Sequence, residues 1–105
     1  MEFVVVSTTV EGDADADRLA DAVVGERLAA CVQVVPVRST YRWQGKVEHA
    51  PEFLLLMKTR KSLVESLMSF VRERHPYDVP ELTVMRLDGG SPDYLKWIEE
   101  ETERE

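Results

Sequence analysis

The 105-residue chain is poor in several features that would point to a particular chemistry. It holds one cysteine, Cys31, so it cannot close an internal disulfide. A lone thiol fits a reducing compartment, and a cytoplasmic location is expected. No apolar run approaches the length that crosses a bilayer; the stretch Phe53 to Met57 is far too short. The start, Met1-Glu2-Phe3-Val4, lacks a basic n-region, so no secretory leader is expected, and nothing marks a lipid anchor. There is no phosphate loop, GxGxxG, HExxH or CxxC, and no nucleophile elbow follows Ser7-Thr8-Thr9. The chain is therefore not expected to be an enzyme, and no organic cofactor is expected. Positive charge is also scarce: 13 Lys and Arg stand against 20 Asp and Glu, a net charge of −7. That balance argues against nucleic acid or an anionic membrane as partner and is compatible with attraction of cations.

What remains is ordinary globular material, 44% hydrophobic, long enough for one domain over residues 1–105. Phe3 to Val10 is rich in Val and Thr and reads as a strand. A helix is expected from about Asp15 to Ala29, with Asp13 or Asp15 as N-cap and Ala16, Leu19, Ala20, Val23 and Val24 as its buried face. Gly25 would weaken that helix locally. Cys31 to Trp43 and Lys46 to Lys58 read as the two arms of a hairpin turning at Gln44-Gly45. Pro36 and Pro51 interrupt them and mark edges or bulges. Lys61 to Arg74 has helical spacing through Val64, Leu67, Met68 and Val71. Leu82 to Asp88 reads as a fourth strand, and Ser91-Pro92-Asp93 opens a last helix whose Glu-rich end, Glu99 to Glu105, is expected to fray. The order is that of an α+β, ferredoxin-like βαββαβ sandwich with an extra C-terminal helix.

The middle hairpin is too long for such a sheet. Each arm is some 13 residues, roughly 40 Å, while the first and last strands are much shorter. The arms must overhang, carrying Tyr41, Trp43 and Phe53 out with them. Another copy of the chain is the simplest cover. If the prolines bend the arms, the outer part, Arg38 to Ala50, is free to pair with a neighbour.

Few residues invite chemistry. Cys31, His49, His75 and the thioethers of Met57, Met68 and Met85 are the soft-metal ligands, suited to copper or zinc, but their spacing matches no closed site within one chain. Cys31 opens a strand, where a small buried residue is the ordinary outcome; His49 falls on the exposed hairpin. The segment His75-Pro76-Tyr77-Asp78-Val79-Pro80-Glu81 is the most specific: an imidazole, a phenol and a carboxylate on backbone stiffened by two prolines. It suits a binding site and equally a rigid turn into the last strand.

Several stretches in order — Glu26-Arg27-Leu28-Ala29-Ala30-Cys31, Tyr41-Arg42-Trp43-Gln44-Gly45-Lys46, Leu56-Met57-Lys58-Thr59, His75 to Glu81, and Tyr94-Leu95-Lys96-Trp97 — resemble the successive signatures of the CutA divalent-ion tolerance family. The resemblance covers nearly the whole chain. It implies a cytoplasmic homotrimer of ferredoxin-like protomers, akin in architecture to PII signal proteins, with a role in tolerance to divalent metals and binding of copper or another divalent ion. It also implies that Cys31, Tyr41, Trp43, Lys58, His75, Tyr77 and Glu81 gather near clefts between subunits, with Cys31 and His75 the metal candidates and the other five lining the cleft. The alternative is a PII-like small-molecule-sensing trimer without catalytic activity, in which Lys58, Tyr77 and Glu81 line an anion or metabolite cleft. An acid–base role for Lys58, His75 and Glu81, and a scaffold role for the acidic C-terminal helix, are the remaining readings.

Overall fold

The structure is a computed structural model and describes residues 1–104. Four strands, β1 (Phe3–Val10), β2 (Cys31–Trp43), β3 (Lys46–Arg60) and β4 (Thr83–Leu87), form one sheet in the order β2-β3-β1-β4. Every neighbouring pair is antiparallel. Three helices complete the chain: α1 (Asp13–Gly25), α2 (Val64–Arg74) and α3 (Pro92–Glu101). A 3₁₀ turn, Lys61–Leu63, leads into α2.

Strand alternation assigns the two faces of β1. Val4, Val6 and Val10 point to one side and pack with Ala16, Leu19 and Val23 of α1 and Leu67 and Val71 of α2. Leu55 and Met57 of β3 join them and are fully buried. Phe3 points the other way, into a smaller cluster with Ala30 and with Ile98 of α3. So α1 and α2 cover one face, and α3 covers one end of the other. Beyond α3 that second face is bare: Val35 and Met85 are exposed.

The first helix is shorter than its periodicity predicts. Its N-cap is Gly12, not Asp13 or Asp15; these two lie in the first turn, where their charge suits the positive end of the helix. It ends at Gly25, so the glycine stands where a helix stops and not inside one. Beyond it Leu28 N–H donates to Val23 O at 3.1 Å and Arg27 N–H to Val24 O at 3.0 Å, with Arg27 left-handed at φ 59°. This is a Schellman motif with arginine in place of the usual glycine, sealed by the apolar contact of Leu28 with Val23.

The C-terminal segment is also more ordered than its composition suggests. Arg27 donates to the Glu100 and Glu103 carbonyls at 2.7 Å, Arg60 donates to Thr102 Oγ1 at 2.9 Å and to the Glu99 carbonyl, and Arg104 donates to the Glu26 carbonyl. Thr102 is buried. Arginines thus satisfy carbonyls at the negative end of α3 and tie the segment to the rest of the chain, although the regular helix stops at Glu101; Glu105 lies outside the described residues.

The long hairpin is present as expected, and its second arm runs two residues further, to Arg60. Gln44 and Gly45 have φ of 49° and 80°, the two positive values a two-residue type I′ turn requires. The ladder runs one-to-one from Cys31↔Lys58 to Trp43↔Lys46, so neither proline makes a bulge. Pro36 lies on the edge strand β2, and Pro51 lies where β3 has passed the end of β1 at Val10↔Phe53. Both positions leave a missing N–H without consequence. Phe53 does not travel out with the overhang; it packs against the main core. From Val37↔Glu52 outward the arms pair only with each other. This stretch gives the molecule its 44 Å long axis against 25 and 21 Å for the others.

Candidate functional site

The loop between α2 and β4 is shaped by its prolines. Pro76 disfavours helical backbone at His75, which is extended (φ −77°, ψ 136°) and ends α2. The imidazole then turns inward onto β1. Its Nε2 lies 2.9 Å from the Thr9 carbonyl and 3.0 Å from Thr8 Oγ1, and its Nδ1 accepts the Tyr77 N–H at 3.1 Å. That pattern selects the neutral ring with the proton on Nε2. Burial pushes the His75 pKa below its ordinary value; the Thr9 hydrogen bond and the charges of Glu52 and Asp15 work against that shift without cancelling it. His75 thus fixes the start of the loop, and in this arrangement neither ring nitrogen offers a free lone pair.

Tyr77 is placed by this anchor. Its ring contacts the imidazole at 4.8 Å between centroids, and its hydroxyl donates to Glu52 Oε2 at 2.7 Å. Burial, reinforced by the Glu52 hydrogen bond and neighbouring negative charge, raises the Tyr77 pKa, so the phenol stays protonated and donating. Glu52 is only 8% exposed.

Tyr77 and Glu52 line a cleft of about 630 Å³ that runs along the overhanging hairpin. Tyr41 and Trp43 of the hairpin and Asp78, Val79 and Glu81 of the loop also line it. Four of the seven residues singled out from sequence, Tyr41, Trp43, Tyr77 and Glu81, therefore meet in one place, with His75 directly behind them.

The other two lie elsewhere. Cys31 and Lys58 are register partners near the opposite end of the sheet. Lys58 is six residues along β3 from Glu52, roughly 20 Å. Its ammonium is bonded to Tyr94 Oη of α3 at 3.3 Å and lies 5.3 Å from that ring's centre. Within a protomer the cleft therefore has no lysine, and Lys58 does not join Tyr77 and Glu81. Cys31 is a free, half-buried thiol far from His75, which bonds at Thr8 and Thr9 of β1. Among the described residues no three His, Cys, Asp or Glu side chains group as a metal site.

Sequence reasoning missed Glu52. A carboxylate just ahead of the apolar run Phe53 to Met57 was the available signal, but only the fold shows that a tyrosine from a distant loop meets it. No helix of the described residues is long and apolar enough to cross a membrane.

Comparison with known proteins places this architecture. The chloroplastic CutA protein of Arabidopsis thaliana is 45% identical over 94% of this chain, which spans 55% of that protein. The divalent-cation tolerance protein CutA of Pectobacterium atrosepticum is 44% identical over 92% of this chain and 89% of its own length. The chain thus spans about half the plant relative and most of the bacterial one. The crystal structure of CutA1 from Oryza sativa superposes with a TM-score of 0.96 at 40% identity, covering 100% of this chain and 97% of that one. Residues 4–101 match the family model described as CutA1 divalent ion tolerance protein. The chain belongs to the CutA1 divalent ion tolerance family.

Proposed function

We propose that the protein works as a homotrimer in the tolerance of divalent cations, binding copper or a similar ion at sites shared between subunits, and that it is not an enzyme. The observation that carries this reading is the hairpin beyond Val37↔Glu52, whose Tyr41, Trp43 and Val47 are 44%, 51% and 57% exposed. Aromatic and aliphatic side chains on a two-stranded arm with open edges need a cover, and two further copies of the chain would provide one in closed symmetry.

The metal part of the proposal follows from separation. Cys31 and His75 are the soft ligands, and one chain keeps them apart. A site using either needs donors from a second subunit. Coordination by His75 would also displace the Tyr77 N–H or the Thr9 carbonyl from the ring, so metal binding there would loosen the His75–Glu81 loop. The unpaired thiol supports a reducing, cytoplasmic setting.

Calorimetric titration with copper, zinc and cobalt of the wild type, Cys31→Ala and His75→Ala tests this. Binding tighter than micromolar that weakens in at least one variant is expected. Weaker binding throughout, or two variants that bind like wild type, would remove direct metal binding from the function.

A further inference from the structure

The chain contains no asparagine, and Asp88 is its one aspartate followed by glycine. The pair lies in a three-residue joint, Asp88-Gly89-Gly90, between β4 and the N-cap of α3 at Ser91. The joint is pinned on both sides: Leu87 before it and Leu95 after it pack against the cluster of Phe3, Ala30 and Ile98. Gly90 is tight as well, since a Cβ there would meet Leu95 Cδ2 at 3.3 Å. Gly89 is different. A Cβ added there would meet nothing within 4 Å, and its N–H makes no hydrogen bond among the described residues. The Asp88 side chain is 94% exposed, and Arg86 stands 3.9 Å from it, too far for a hydrogen bond to fix the carboxyl group.

These conditions let an aspartyl side chain react with its own backbone. The Gly89 nitrogen attacks Asp88 Cγ, forming an N–Cγ bond and closing a five-membered succinimide. The Cγ–OH bond breaks, and the hydroxyl leaves as water with the proton that the nitrogen gives up. Water then adds to one of the two ring carbonyls. Addition at Cγ restores aspartate. Addition at the main-chain carbonyl leaves an isoaspartyl link, in which the chain runs through Cβ and Cγ. Glycine favours the ring closure because it puts no side chain beside the attacking nitrogen.

The other aspartates lack this combination. Asp13, Asp15, Asp17 and Asp21 lie in α1 and Asp93 in α3, where helical backbone holds the next nitrogen away from Cγ. Asp78 is in a loop, but the β-branched Val79 crowds its nitrogen. Asp88 also lies away from the hairpin. Leu87 pairs with Phe3 and Phe3 with Arg60, whereas the hairpin leaves the sheet beyond Val10↔Phe53.

We propose that Asp88-Gly89 is a site of spontaneous covalent modification, isomerising through a succinimide to an isoaspartyl link, and that this change unseats the start of α3. The link adds one atom to the main chain of a joint pinned on both sides and moves the carboxylate onto Cα. Leu87 and Leu95 then cannot both keep their places, and the Lys58 bond to Tyr94 Oη is strained with them. The reaction does not depend on the proposed metal function.

The test ages the full-length, assembled protein at physiological temperature and neutral pH and maps it with trypsin. A second, isobaric form of peptide 87–96 is expected to accumulate, with a transient form lighter by one water. Isoaspartyl methyltransferase with a labelled sulfonium methyl donor should esterify that peptide, and fragmentation should place the change at Asp88 and not at Asp93. Gly89→Val has room for its side chain and no left-handed backbone to oppose it, and it should slow accumulation about tenfold by crowding the nitrogen. Asp88→Glu, whose ring would need six members, should abolish it. Hydrogen exchange at residues 92–98 should be faster in aged wild type than in aged Gly89→Val. The proposal is overturned by an absence of isoaspartate at Asp88 over a period in which the same chain in denaturant forms it, by equally fast conversion at Asp78 or at a helical aspartate, or by Gly89→Val converting at the wild-type rate. Equal exchange in the two aged samples would overturn the effect on α3.

Discussion

Strand β3 passes through two environments. Its second half, from Phe53 to Arg60, pairs with β1 throughout and with β2 as far as Lys58, and sends Leu55, Met57 and Thr59 into complete burial beneath the helices. Its first half, from Lys46 to Pro51, pairs only with β2, and Val47 remains 57% exposed. The same backbone pairing thus serves a buried core at one end and, at the other, a surface left exposed in the single chain. Stability of the protomer should be set by the first half and association by the second.

The largest expected effect breaks the first half. Leu55→Ala removes a fully buried side chain from the main core and should cost about 2–5 kcal/mol in denaturant unfolding. Val47→Ala, on the same strand, should leave protomer unfolding within about 0.5 kcal/mol while weakening self-association. Equal losses in both variants would erase the distinction between the two halves.

The next effect concerns the arginines that hold α3 to the sheet. Arg60→Met keeps the aliphatic stem but drops the bonds to Thr102 Oγ1 and the Glu99 carbonyl. A loss of about 1–3 kcal/mol is expected, with faster hydrogen exchange at the end of α3. Unchanged exchange there would show that Ile98 and the Arg27 bonds hold the helix down without Arg60.

A smaller effect depends on pH. Burial lowers the His75 pKa from 6.5, so the unfolded chain takes up a proton before the folded one does. The neutral-ring contribution is therefore complete above 6.5 and is lost as pH falls through that value toward the lower folded pKa. Unfolding free energies measured from neutral to mildly acidic pH should decline over this window, and His75→Gln should flatten the decline. A slope that survives the substitution would assign it to carboxylates instead.

The smallest effect goes the other way. Thr59 Oγ1 is fully buried and has no hydrogen-bond partner among the described residues. Thr59→Val should stabilise the protomer by about 1 kcal/mol, read as a higher denaturant midpoint. Destabilisation would mean that a bound water serves the hydroxyl.

Much of this division was legible in the sequence. Val/Thr-rich Phe3 to Val10, the Gln44-Gly45 turn and the excess length of the hairpin follow from alternation and turn chemistry, which are local. The end of α1 was less legible because Arg27 occupies a left-handed position that glycine normally signals, and the hydrogen bonds that define the motif are invisible to periodicity. The acidic tail misled for a related reason. Composition suggests a loose end, but Arg27 and Arg60 reach it from distant parts of the chain. At the site, the His75-to-Glu81 motif marked the loop, while Glu52 and the separation of Lys58 from Tyr77 are consequences of register and could be read only from the fold.

The central claim is that copies of this chain cover the outer hairpin. The direct measurement is mass in solution, by sedimentation or light scattering, for the wild type and for Trp43→Ala. The account predicts about three times 12.0 kDa for the wild type and a smaller or concentration-dependent mass for the variant. A wild-type protein at 12.0 kDa across the concentration range would contradict it.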